Sequence, residues 1–262
     1  MSDASIPSNS ALAMDNAQSI KQAYYAKTSQ DFDQWHIGED DEHYISLKFI
    51  SAMIPLLEID SVLDVGAGTG RGVMYFRQNH PNVRAHGVEP SPDMRGRAVE
   101  KGIPEELITL GRGEKLPFPD QSFDAITEFG VVHHIQDPDA AVREMMRVAR
   151  KAIFLSDGNR FAGGSAPRRW FKLLSHKVGL WPLVNLIKTR GKGYDFTGHD
   201  GLSYSYSPYD QHKILAKWAD RVIMIPTGPE VGCTTWLHPL LSSSQMLYCA
   251  LRHEKLTTKN RS

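Results

Sequence analysis

The run Val62-Leu63-Asp64-Val65-Gly66-Ala67-Gly68-Thr69-Gly70 decides the fold of this chain. Val62, Leu63 and Val65 flank a single acid and suit a parallel strand buried on both faces. Gly66, Gly68 and Gly70 follow at once, so the strand empties into a turn whose backbone can adopt conformations closed to other residues. A nucleotide-like ligand can then approach the main chain directly. Glycine density alone is weak evidence, and the spacing discriminates. The dinucleotide fingerprint needs Gly-x-Gly-x-x-Gly or Ala, the last position being small so that the next helix packs on the strand. Counted from Gly66 that position is Arg71, and counted from Gly68 it is Val73. Both are too large. The chain carries Asp-x-Gly-x-Gly-x-Gly instead, with a further glycine at Gly72.

Strand and helix patterns alternate outward from this run. His43 to Leu57 predicts a helix with Ile45, Leu47, Ile50, Met53 and Ile54 facing the core at three- and four-residue spacing. Downstream, Gly72 to His80 reads as a helix stopped by Pro81, Ala85 to Val88 as a strand, and Ser91 to Lys101 as a helix ended by Gly102. Leu107 to Leu110 and Asp124 to Phe129 read as the third and fourth strands. Asp139 to Arg150 predicts a helix with Val142, Met145, Met146 and Ala149 inward, and Ala152 to Leu155 the fifth strand. A helix from Pro208 to Trp218 and strands at Arg221 to Ile225 and Met246 to Leu251 complete the series. This alternation implies an α/β fold, a doubly wound, mostly parallel sheet with helices on both faces and its ligand outside the strand carboxyl ends.

The glycine run resembles motif I of the Rossmann-like, class I methyltransferases that use S-adenosylmethionine, and three later segments resemble the same family in the same order. Gly87-Val88-Glu89-Pro90-Ser91 ends a second strand in an acid about twenty residues past the glycines, where a ribose-binding carboxylate is expected. Gly111 to Asp124 resembles the adenine-side loop. Val131-Val132-His133-His134-Ile135 with Asp137-Pro138 resembles the segment after the fourth strand in the small-molecule, type 11-like branch. The resemblance spans roughly Ser61 to Asp157. It implies a seven-stranded sheet with one of the last two strands antiparallel, and S-adenosylmethionine as cofactor. Asp64, Gly66, Gly68, Gly70, Glu89, Pro90, Gly113, Glu114 and Glu128 would then bind the cofactor. The activity implied is methyl transfer to an O, N or C atom of a small-molecule acceptor, anionic or lipid-linked among the options. His133 and His134 stand where relatives face the acceptor and are the candidates for a general base. Adjacent residues are expected to point differently, so one of them at most would face the substrate.

Two departures stand out. Many relatives carry an Asp at the position of Arg112, and a guanidinium donates only, so adenine recognition would fall to the backbone of Gly113 and Glu114 or to the Glu114 side chain. Arg150-Lys151-Ala152 lacks the usual Pro-Gly-Gly turn, which predicts a tighter entry into the fifth strand.

Composition bounds the partners. Thirty Lys and Arg balance thirty Asp and Glu in 262 residues, so no global field draws nucleic acid and none is expected as a partner. Cys233 and Cys249 lack the spacing of a disulfide framework or zinc site, which fits a cytoplasmic setting with no metal. No apolar run is long enough to span a bilayer. Nothing in the sequence fixes the oligomeric state.

The expected organisation is a polar, disordered lead over 1–16, a helical lid and first core helix over 17–57, and the cofactor-binding core over 58–157. A cap follows over 158–207, the rest of the sheet over 208–253, and a polar tail over 254–262. The cap is the most individual part. From Gly158 to Tyr194 it contains Arg160, Arg168, Arg169, Lys172, Lys177, Lys188, Arg190 and Lys192, apolar residues including Trp170, Phe171 and Leu174, and no Asp or Glu. It would carry cations to an anionic acceptor, lie on an anionic membrane through residues 160–192, or be a solvated basic face. Tyr24, Tyr25 and Trp35 read as lid packing, and His199, Asp200, Tyr204 and Tyr206 as a lining for the acceptor pocket. Two rival functions remain: a non-catalytic cofactor- or partner-binding domain, motivated by Arg112, and a nicotinamide dehydrogenase, opposed by Arg71.

Overall fold

The computed structural model describes Tyr24 and residues 41–197, 201–228 and 239–252. The expected lead, Tyr25, Trp35, His199, Asp200, the Gly232 to Trp236 loop and the tail lie outside these residues. Helix α1 (Glu42–Leu56) starts at Asp41, whose carboxylate accepts the Tyr44 N–H at 2.7 Å and so satisfies a donor the first turn leaves open. There follow β1 (Ser61–Val65), α2 (Arg71–Asn79), β2 (Arg84–Glu89), α3 (Pro92–Glu100), β3 (Ile108–Leu110), β4 (Phe123–Phe129), α4 (Pro138–Val148) and β5 (Ala149–Gly158). The cap comprises α5 (Ala166–Lys177), α6 (Trp181–Lys188) and a hairpin of β6 (Tyr194–Thr197) and β7 (Gly201–Tyr204). The chain returns through α7 (His212–Trp218), β8 (Arg221–Pro226), α8 (Pro239–Ser242) and β9 (Gln245–Leu251).

Seven strands form one sheet in the order β3-β2-β1-β4-β5-β9-β8. β1 through β5 are parallel, and β9 runs antiparallel to both of its neighbours. The order reverses between β1 and β4, which places the ligand crevice above their carboxyl ends. Strand alternation divides the core. Val62, Ala125 and Phe154 face α1 and α2 with Leu47 and Phe76, whereas Leu63, Val65, Ile126, Ile153 and Leu155 face α4 and α7 with Met145 and Leu215.

Two elements differ from the sequence reading. β5 is longer than Ala152 to Leu155, because it pairs with β9 from Ala152 to Gly158 and starts directly after α4 with no intervening turn. Its early charged residues sit at the opposite edge from the crevice. There Arg150 donates to Asp124 at 2.9 Å and to Ser61 at 3.2 Å, and Lys151 donates to the Glu58 carbonyl at 2.6 Å. The helix expected from Pro208 splits into a 3-10 turn (Pro208–Gln211), fixed by a capping box between Ser207 and Asp210, and the shorter α7.

Candidate functional site

The glycine turn is built as its spacing requires. Gly66, Gly68 and Gly70 all have positive φ, at 72°, 56° and 85°. Gly66 and Ala67 donate their N–H groups to the Val88 carbonyl at 2.8 and 3.0 Å, which binds the turn to β2. At Gly72 the constraint is space: a Cβ there would run into the Asp64 carboxylate. α2 therefore approaches β1 closely enough for Asp64 to occupy the position a side chain would need.

Asp64 is 3% exposed and accepts the Thr127 hydroxyl at 3.0 Å. Burial pushes its pKa up to about 7, against the opposing effects of the Thr127 hydrogen bond and the Arg71 charge. Arg71, the residue that disqualified a dinucleotide turn, reaches across to Asp41 at 2.8 Å and so ties the start of α1 to the start of α2. Glu89 closes β2. Its Oε2 accepts the Gly68 N–H and its Oε1 the Ser91 N–H, both at 2.8 Å. Burial raises this carboxyl to about 7 as well. Each oxygen of a carboxylate can accept twice, so both retain acceptor capacity.

On the adenine side, buried Gly113 lies where an added Cβ would meet Val65 and Ile135 at 3.3 Å, so the loop folds over the end of β1. Glu114 accepts from Arg112 at 3.0 Å. Arg112 therefore engages the very side chain that was to replace the missing acid, leaving the Gly113 backbone as the better candidate. Pro90 is exposed between Glu89 and the α3 cap Ser91.

The ends of β4 and β5 hold a second group of polar residues. Glu128 and Asp157 are both fully buried. Glu128 Oε2 accepts the Val131 N–H at 3.0 Å. Asp157 Oδ1 lies 2.6 Å from His133 Nδ1, and Asp157 also accepts the backbone N–H groups of His133 and Gly158. Burial works to raise the Asp157 carboxyl, but the His133 ring and these N–H groups outweigh it and hold it below its ordinary value. Burial and the neighbouring Asp157 push Glu128 well above its own. Among the described residues Tyr206 Oη and Glu128 Oε1 are buried with no hydrogen-bond partner, a cost of about 1–3 kcal/mol apiece. Such a cost is tolerated where a ligand completes the set.

The two histidines depart from the expectation of divergence. They occupy a 3-10 turn with their rings 3.9 Å apart, and they differ in partner rather than in direction. His134 Nδ1 lies 2.7 Å from the Leu202 carbonyl. A carbonyl only accepts, so Nδ1 carries the proton and tethers the turn to the cap hairpin. His43, which the sequence showed only as a helix start, lies 2.9 Å from Ser156 Oγ beside Gly130, and burial lowers its pKa to about 4. Tyr24 packs edge-on to Phe196 of the hairpin, centroids 6.2 Å apart, and Tyr204 faces Tyr194 within it.

Much of the cap's positive charge is committed internally. Arg160 is 8% exposed, forms a two-pronged ion pair with Asp210, and stacks over Phe161 and Trp181. Lys172 donates to the carbonyls of Arg160 and Gly163, Arg169 to those of Gly164 and Leu241, and Lys188 pairs with Asp195. These four are engaged within the cap. Among the described residues no group of acids, cysteines and histidines is arranged to hold a metal.

Residues 63–155 match the family model of a methyltransferase domain, over the same strands that carry the glycine turn and Glu89. That stretch is similar to a methyltransferase domain. The chain is 33% identical over 143 residues to an uncharacterized methyltransferase of Schizosaccharomyces pombe, covering 49% of each chain. It is 40% identical over 95 residues to the uncharacterized methyltransferase YcgJ of Bacillus subtilis, covering 34% of this chain and 36% of that one. It thus spans about half or less of the length of these curated relatives. In architecture it is similar to magnesium protoporphyrin IX methyltransferase of Synechocystis PCC 6803, with TM-score 0.54, 16% identity, and coverage of 90% and 100% of the two chains. That protein has been crystallised with bound SAH and with bound SAM.

Proposed function

We propose that this chain is a methyltransferase that binds S-adenosylmethionine across the carboxyl ends of β1, β2 and β4 and transfers its methyl group to an O, N or C atom of a small-molecule acceptor. The observation that carries this reading is the pinning of Gly68 by Glu89, which joins the glycine turn to a carboxylate with acceptor capacity left for two ribose hydroxyls. The residues suit the cofactor chemically. Asp64 supplies negative charge for the methionine ammonium, Glu89 acceptors for the ribose, and the Gly113 backbone a flank for the adenine. When bound, S-adenosylmethionine supplies an electrophilic methyl carbon, which bonds to the acceptor's lone pair as the carbon–sulfur bond breaks and its electrons stay on sulfur. The chain's own task is then mainly alignment, which is worth about 7–11 kcal/mol in well-oriented systems.

The test is transfer of labelled methyl from S-adenosylmethionine into a metabolite extract of the source cell, read by mass spectrometry. A labelled product that disappears with Glu89→Ala supports the reading. A chain that binds the cofactor and labels nothing supports the non-catalytic alternative.

The exposed face of the cap supports a second property, contact of the methyltransferase with an anionic membrane surface. Trp170, Phe171 and Leu174 of α5 are 55%, 56% and 63% exposed, while Leu173 turns inward, and Leu183 and Ile187 of α6 are 56% and 71% exposed. Arg168, Lys177, Arg190 and Lys192 are exposed in the same acid-free stretch. Apolar side chains among cations suit an interfacial helix pair. Among the described residues no helix is long and apolar enough to cross a membrane. Vesicles of phosphatidylglycerol should sediment the protein, phosphatidylcholine vesicles should not, and Leu174→Glu with Ile187→Glu should abolish binding. A dimer that Leu174→Glu dissociates, with no vesicle binding, would assign the face to a second copy instead.

A further inference from the structure

We infer that Glu128, Asp157 and Tyr206 form the acceptor subsite of the proposed methyltransferase, and that it takes an amine, held as an ammonium. This rests on the methyl-transfer reading for what happens afterwards, but the subsite is argued from its own chemistry.

Placement comes first. Glu128 and Asp157 sit at the carboxyl ends of adjacent strands, with Glu128 in register with Leu155. Alternation puts them on the face of Ile126 and Leu155, towards α4 and α7, where Tyr206 also packs. Asp64, hydrogen-bonded to Thr127, lies on the opposite face of the sheet with Ala125 and Phe154. The sheet therefore divides the crevice's acids into two sets. Asp64 belongs with the glycine turn, and Glu128, expected from sequence to contact the cofactor, is instead grouped in this proposal with the post-strand turn and the cap.

Composition comes second. The set offers two buried carboxyl groups, one of which has an unpartnered oxygen, and a buried phenol that is also unpartnered. Such a set is completed by a ligand with several donors and a positive charge. An alkylammonium brings three donors and the charge. A hydroxyl brings one donor and no charge, and a phosphate or carboxylate would be repelled. Arg160, whose charge acts on Tyr206, is already occupied by Asp210, and His43 on α1 is also within electrostatic reach of Asp157.

Isotope-edited NMR of the Glu side-chain carboxyls and His rings, without cofactor and with n-butylammonium chloride as probe, tests this directly. The Glu128 titration should move down by about one pH unit or more as the cation binds, and n-butanol or sodium chloride should leave it in place. Glu128→Gln keeps an acceptor for Val131 N–H and should weaken n-butylammonium at least about ten-fold, with S-adenosylmethionine affinity unchanged within about two-fold. Tyr206→Phe, which removes only an unpartnered hydroxyl, should fold as the parent does and weaken the amine less. Equal binding of n-butanol, or undiminished amine binding by Glu128→Gln, would overturn the inference. So would loss of cofactor affinity in Glu128→Gln, because that would assign Glu128 to the cofactor's ammonium. A parent chain that binds the amine but not S-adenosylmethionine would count against the methyl-transfer reading alone.

Discussion

Gly68 donates its backbone N–H to Glu89 Oε2 at 2.8 Å, so the middle of the glycine turn and the acid that closes β2 behave as one unit. The other oxygen is held by Ser91 N–H at 2.8 Å. An amide at this position would set its NH2 against one of these two donors. Glu89→Gln should therefore cost about 1–3 kcal/mol in stability, read from urea unfolding, besides weakening cofactor binding. An unchanged midpoint would show that the two N–H groups do not depend on the carboxylate.

Two glycine substitutions should act in opposite directions. Gly72→Ala places a methyl against the Asp64 carboxylate, so it should destabilise by about 1–3 kcal/mol and lower cofactor affinity by displacing Asp64. Gly96 lies within α3, and a Cβ there meets nothing within 4 Å. Gly96→Ala should stabilise by about 0.5–1 kcal/mol through helix propensity. Thermal melts of the pair would test whether space, rather than glycine content, governs the α2 start.

Asp64 and Glu89 both titrate at about 7 in the folded chain, against ordinary values of 3.8 and 4.5. The folded state thus keeps protons that the unfolded state gives up. From these two groups, stability should fall as pH rises from about 4 to about 7 and change no further above that. A ligand that donates hydrogen bonds or positive charge lowers both values, so cofactor binding near neutrality should release protons and weaken as pH falls from about 8 to about 6. Calorimetry in buffers of differing ionisation enthalpy measures this release, and proton uptake would contradict it.

The Arg160 and Asp210 pair should act as the internal brace of the cap. Asp210→Ala leaves a guanidinium buried among Phe161 and Trp181 and should cost about 3 kcal/mol or more. Exposed Arg168→Ala should stay within about 0.5 kcal/mol. Similar costs for both would show that burial of Arg160 carries little energy.

The sheet was legible because its signals are local. Val62 to Gly70 shows both strand and turn, Pro81 and Gly102 stop their helices, and Glu89 lies at a spacing set by one strand-helix-strand unit. The opposite edge was less so: Arg150 read as the end of a helix and Lys151 as the link to the fifth strand, whereas both lie in β5, where they contact Asp124. The cap misled for a related reason. Arg160 looked like one of eight cations in an acid-free stretch, yet its partner Asp210 lies fifty positions along the chain. The Glu128, Asp157 and Tyr206 grouping depends on the register of β4 with β5 and on a later return of the chain. Glu128 and Tyr206 could be named singly, Asp157 was not singled out, and no spacing rule joins the three. His43 left only the mark of a helix start, since its contact with Ser156 spans 113 positions.

Calorimetric titration of S-adenosylmethionine into the parent chain and into Glu89→Ala decides whether the glycine turn and Glu89 hold the cofactor. The parent should bind one-to-one, and the variant at least about ten-fold more weakly, as loss of charge-assisted hydrogen bonds requires. A parent chain that takes up no S-adenosylmethionine, or that binds it equally well without Glu89, would contradict it.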